Sequence, residues 1–154
     1  MAIQTEARVE IDRPIDEVFD YTTNHVAEWS LTVVEDEPLE TMPDGGVGST
    51  FRCVTSNNGH RLEMRGTVTQ YEPPLKSAVH LVSDPFEIHA LYLFEDLGGR
   101  TRVTQVSVVT PRGFLFKLMF TVAGFFIRKS GCEAGLKELQ NLKRCLESDQ
   151  NPRS

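Results

Sequence analysis

The sequence predicts an α+β domain: a seven-stranded, curved antiparallel sheet wrapped around a long C-terminal helix, with two short helices after the first strand. Three observations carry this reading. Residues 3–11 alternate apolar and polar with a period of two. Residues 31–110 break into short β-rich runs between turn signals, with connections too short for parallel crossovers. From about residue 111 to 148, apolar side chains recur at helical spacing over a length that only a sheet can cover.

Each element follows from its residues. Ile3, Thr5, Ala7, Val9 and Ile11 share one side of the first strand, and Gln4, Glu6, Arg8 and Glu10 the other, as in an antiparallel strand with one wet face. In "DRPIDEVFDYTT" the period changes. Pro14 suits a first helical position, Asp16 and Glu17 suit the positive end of the helix dipole, and Ile15, Val18 and Phe19 share a face. A second short helix is expected around "NHVAEWS", capped by Asn24. "PDGGVG" (43–48) is a turn before a strand through Phe51 and Cys53. "SNNG" (56–59) is a hairpin signal, and "HRLEMRGTVTQYEPP" is a strand stopped by two prolines. "KSAVHLVS", "FEIHALYLFEDL" and "RTRVTQVSVVT", punctuated by "DP" and "GG", make three more strands. On the last helix Leu118, Val122, Phe125, Cys132, Leu136 and Leu139 form one stripe, expected to face the sheet.

Composition bounds the function. The 154 residues suit one domain, expected over 1–148 with a disordered polar tail at 149–154. A formal net charge of −6 without a basic cluster argues against nucleic acid as partner. The alternating, acid-bearing start reads as a strand, so neither a signal nor a transit peptide is expected there. Cys53, Cys132 and Cys145 match no metal or disulfide spacing and read as free thiols in a reducing compartment, so a cytoplasmic location is expected. The greasy run "GFLFKLMFTVAGFFIRKSG" is interrupted at Lys117 and ends at Arg128 and Lys129, short of the ~20 apolar residues of a span. It reads as a core helix.

The order of elements resembles the START-like, helix-grip superfamily, and within it the polyketide cyclase/dehydrase and lipid-transport group of SRPBCC proteins. The resemblance covers nearly the whole chain. It rests on "VEIDRPIDEVFDY", Trp29 closing the second helix, "GTVTQYEPP" (66–74), "YLFEDLGGRTRVT" (92–104) and "GLKELQNLKRCLE". It implies a hollow between sheet and helix that holds a hydrophobic small molecule. Carriers, sensors, cyclases and hydrolases share this fold, so the fold does not select among them.

The resemblance turns Tyr92, Phe94, Val103, Gln105 and Ser107 inward, with Phe51, Cys53, Leu62, Met64, Val68, Val79, Leu81, Phe86 and Ile88 from the other strands. The expected ligand-binding set is Trp29, Phe51, Met64, Leu81, Ile88, Tyr92, Gln105, Ser107, Val122 and Phe126. Gly124 removes volume from the helix and favours a hollow there, or else a close backbone contact. No carboxylate is expected on the inward positions. His80 and His89 fall opposite each other on the outer face, and His25 near Trp29 is the lone histidine candidate for chemistry. No catalytic set, metal site or cofactor is therefore expected. The leading reading is a non-catalytic carrier or sensor of a lipid, isoprenoid or aromatic polyketide-like molecule. The alternative is a cyclase or dehydratase acting through Tyr92, Gln105, Ser107 or His25.

Two apolar sets remain over. Phe116, Phe120 and Ile127 lie opposite the expected core stripe of the last helix, and Leu91, Leu93, Val106 and Val108 on the outer face of two strands. Edge-on packing of the two short helices could cover part of the helical set; otherwise a homodimer is expected ahead of transient membrane contact, because the acidic balance disfavours attraction to anionic lipid. Lys129, on the expected inward stripe, should reach solvent at the helix flank.

Overall fold

The computed structural model describes residues 2–44, 46–57 and 59–148; the tail expected at 149–154 lies outside them. The elements run β1 (Ile3–Ile11), α1 (Ile15–Asn24), α2 (Val26–Trp29), β2 (Val33–Glu40), β3 (Thr50–Asn57), β4 (His60–Glu72), β5 (Lys76–Val82), β6 (Phe86–Asp96), β7 (Thr101–Pro111) and α3 (Phe114–Glu147). All seven strands form one antiparallel sheet in the order β1-β7-β6-β5-β4-β3-β2. Every step from β2 to β7 is a hairpin. The α1–α2 segment carries the chain from β1 at one edge to β2 at the other. This is the helix-grip arrangement that the pattern of residues predicts.

The tight turns explain themselves. Between β6 and β7, Gly98 and Gly99 take φ of 85° and 91°, which disfavours side chains, and Asp96 accepts the Gly98 amide at 2.9 Å. At the helical start the expectations shift slightly. Pro14 stands just before α1, in extended conformation. Asn24 ends α1 with its amide donating to Asp20, so it does not cap α2, and His25 occupies that junction.

The C-terminal half of α3 is fastened to the β1 edge. Two glycines let it approach closely: a Cβ on Gly131 would come within 2.9 Å of Thr5 Cγ2, and one on Gly135 within 3.5 Å of Ala7 Cβ. Further along, Lys143 donates to the Glu10 carbonyl at 2.8 Å, and Glu147 accepts the Asp12 amide at 2.8 Å. The main core forms where this half of the helix meets α1, α2 and the β1/β7/β6 end of the sheet. Ile11, Val18, Trp29, Val103, Leu139, Leu142 and Leu146 are fully buried there, with Phe19 packed edge-on to Phe94 at 5.0 Å.

The N-terminal half of α3 corrects the expected stripe. Val122 is 79% exposed, Phe125 75% and Leu118 50%, whereas Phe120, expected outside, is 5% exposed and Ile127 half-buried. Phe116, also expected outside, remains exposed. The cause is rotational. Gly131 and Gly135 fix the face that meets β1, and stepping back by turns from them gives Ile127, Gly124 and Phe120. Ala123 leaves helical geometry (φ −109°, ψ 16°), which marks a kink between the halves. Apolar residues stand on both sides of this stretch, so their spacing alone does not select a face. Lys129 accordingly lies exposed on the outward side.

Candidate functional site

The inner face of the sheet is built from rungs. One runs Ala7, Gln105, Tyr92, Ser77, Tyr71 across five strands. Near the β1 edge these rungs are covered by α3. Over β2 to β6 they are not, and a cavity of about 440 Å³ opens between sheet and helices. Its floor is Phe51, Cys53, Val68, Val79, Leu81, Ala90 and Tyr92; its roof is Thr22, Val26 and Trp29, with Glu138 of α3 at one side. Gly66 exists to let the Phe51 ring lie flat on the sheet, since a Cβ there would fall 2.2 Å from the ring.

Four of the ten expected binding residues, Trp29, Phe51, Leu81 and Tyr92, stand in the wall. Gln105 reaches it indirectly, donating to the Tyr92 hydroxyl at 2.8 Å. Met64 is buried against a separate, more open depression of about 360 Å³ beside Ser83 and Asp84. Ile88 and Ser107 share rungs with the wall residues Leu81 and Ala90 but stand outside the wall, one strand nearer the β1 edge. Val122 and Phe126 are exposed and do not join the wall, for the rotational reason given above. Gly124 neither shapes the cavity nor admits a close contact: a Cβ there would meet nothing within 4 Å.

The expectation of an inward face without carboxylates is overturned. Asp36 and Glu138 both line the cavity. Glu138 is committed: it accepts from Ser30 Oγ at 2.7 Å and from the Leu31 amide, tying α3 to the corner after α2. Asp36 is different. On β2 its neighbours Glu35 and Glu37 turn outward to Arg52, while Asp36 pairs across to Cys53 on the inner side. Among the described residues it has no hydrogen-bond or ion-pair partner. Although its edge-strand side is open to solvent, desolvation by the cavity raises its carboxyl above the usual value. The adjacent Cys53 thiol is pushed up to about 11, by burial first and by the Asp36 charge second. Burial also raises the Tyr92 phenol, which stays protonated. In the roof, the Thr22 hydroxyl is buried and unpartnered. The cavity is thus mostly apolar, with a few polar groups in its wall.

Tyr71 also joins the wall. An extra residue at Thr69 breaks the β4/β5 register between Val68 and Gln70 and brings Tyr71 inward opposite Ser77. The histidines stay outside the cavity. His25 stacks on Tyr21 at 5.5 Å and pairs with Glu28 at 2.8 Å. His80 and His89 face each other on the outer face, with ring centroids 4.2 Å apart and only 11° between planes. With Glu87, 2.8 Å from His80, they bring three donor atoms within 4.8 Å. The two rings stack, and His80 is engaged by Glu87.

A pH experiment reads Asp36 directly. A carboxyl raised in the folded state favours folding when protonated. Its contribution is full below its ordinary value of 3.8 and is lost as pH rises through the raised value. Asp36→Asn is therefore expected to raise the Tm at neutral pH, with the gain shrinking on acidification, as measured by thermal denaturation across pH. An unchanged or lowered Tm at neutral pH contradicts the desolvated site.

Comparisons with known proteins agree with this architecture. Comparison with curated proteins gives no match. Among solved structures, TTHA0849 of Thermus thermophilus superposes with a TM-score of 0.74 at 14% identity, covering 92% of this chain and 94% of that one. A Streptomyces protein described as an aromatase/cyclase gives 0.69 at 13% identity, covering 97% and 98%. A START superfamily protein from Mycobacterium smegmatis gives 0.69 at 15% identity, covering 93% and 98%. At such identities the likeness is one of fold. Residues 2–146 match the family described as polyketide cyclase / dehydrase and lipid transport, which spans nearly the entire chain, and the protein belongs to that family.

Proposed function

We propose that the cavity binds a hydrophobic small molecule bearing a carbonyl or hydroxyl group, of the lipid, isoprenoid or aromatic polyketide-like class. The observation that carries this is the 440 Å³ hollow with an aromatic and aliphatic floor and the Tyr92 phenol in its wall. Its size falls in the ~300–1,000 Å³ range of small-molecule sites. The Tyr92 phenol accepts from Gln105 and keeps its own proton to donate to a ligand oxygen. Organic extracts of the purified protein, analysed by mass spectrometry, are expected to contain a stoichiometric apolar compound that the denatured protein releases. A protein that carries no such compound and fails to take up anilinonaphthalene sulfonate counts against the reading.

A second reading rests on Asp36. A cavity-facing carboxyl with a raised pKa is suited to move a proton between carbon and oxygen, as a cyclase or dehydratase requires. The neutral Tyr92 phenol supplies a donor for a substrate carbonyl. Turnover of a polyketide-like substrate that collapses in Asp36→Asn and Tyr92→Phe, but survives His25→Ala, favours this reading over simple carriage.

A further inference from the structure

The outward face of α3 carries an inference independent of what the cavity holds. Phe114, Leu118, Val122, Phe125 and Phe126 are all at least half exposed, and helical spacing gathers them on the side turned away from the sheet. A contiguous apolar surface of this kind marks an interaction site. Its border has a sign. Lys117, Arg128 and Lys129 are exposed around it, and no acidic residue stands between Gly113 and Cys132, in a chain whose net charge is −6. Lys117 and Arg128 fall along one flank of the apolar face, and Lys129 closes its C-terminal end.

We infer that this half of α3 lies in the interface of an anionic lipid bilayer, its aromatic and aliphatic side chains inserted and its cations at headgroup level. No described helix is long and apolar enough to cross a membrane, so the helix lies on the surface. The charge pattern selects lipid over a second copy. A two-fold contact through this face would bring the same cations to its seam, with no carboxylate of this segment to receive them. A bilayer containing phosphatidylglycerol answers every one of them.

Vesicle co-sedimentation of the whole protein tests this. Vesicles of phosphatidylcholine with about 30 mol% phosphatidylglycerol are expected to bind at least about tenfold more tightly than phosphatidylcholine alone, with binding weakened by salt. Val122→Asp/Phe125→Asp should abolish binding to both. Lys117→Glu/Arg128→Glu should remove the preference for anionic lipid, with circular dichroism confirming that each variant is folded. Wild type that ignores both vesicles, or binding that survives Val122→Asp/Phe125→Asp, overturns the proposal. So does a wild-type dimer in sedimentation that this double variant dissociates, which gives the face to a second copy.

Discussion

Ala90→Phe is expected to lower uptake of anilinonaphthalene sulfonate at least about tenfold, a loss of about 1.4 kcal/mol in binding, with the fold retained. Ala90 sits on β6 between Val79 and Ser107, and its methyl group forms part of the cavity floor. A phenyl ring at this point projects into the hollow rather than into packed side chains. The two possible interiors give opposite results in stability. If the hollow is as described, the ring occupies empty space and the denaturation midpoint stays level or rises. If the interior is tightly packed, the same substitution overpacks it and costs about 1–3 kcal/mol. Uptake and stability measured together therefore decide whether the hollow is open to a ligand, and Gly124, which is not part of the cavity wall and has open space around it, is not the place to ask.

What could be read from residues alone depended on how strongly local chemistry constrains geometry. The strand order was legible because "DP", "GG" and the two prolines leave no room for anything but hairpins, and each hairpin fixes its own register. The family resemblance placed Tyr92 in the wall, and parity counted from it turned His80 and His89 out. Parity failed at Tyr71, because one extra residue at Thr69 reverses every later side chain in β4 and leaves no mark in the alternation. Asp36 was missed for another reason. It lies in an acid-rich run with Pro38 inside it, which reads as a solvated edge; only the pairing with Cys53 shows that Glu35 and Glu37 face out and Asp36 in. The helix was legible as a helix and misread as a face. Where nearly every residue is apolar, periodicity carries little information about rotation. Gly131 and Gly135, with their close approach to Thr5 and Ala7, were the signal that could have fixed it.

The two halves of α3 should respond very differently to truncation. Leu139→Ala is expected to cost about 2–5 kcal/mol, because Leu139 is fully buried among Trp29, Val103 and Leu142 and its removal leaves a cavity in the main core. Against a total stability of about 5–15 kcal/mol for a domain of this kind, that is a large fraction, visible as a shifted denaturant midpoint. Val122→Ala and Phe125→Ala should each change stability by less than about 0.5 kcal/mol, since their side chains already face solvent. Apolar spacing alone assigns Val122, Phe125 and Leu139 to one stripe and so demands comparable losses at all three. The structure separates them through the rotation set by Gly131 and Gly135 and the break at Ala123. Chemical denaturation of the three single variants distinguishes these cases. A loss above about 2 kcal/mol at Val122 or Phe125 would place the first half of α3 against the sheet, and would remove the exposed face on which membrane docking rests.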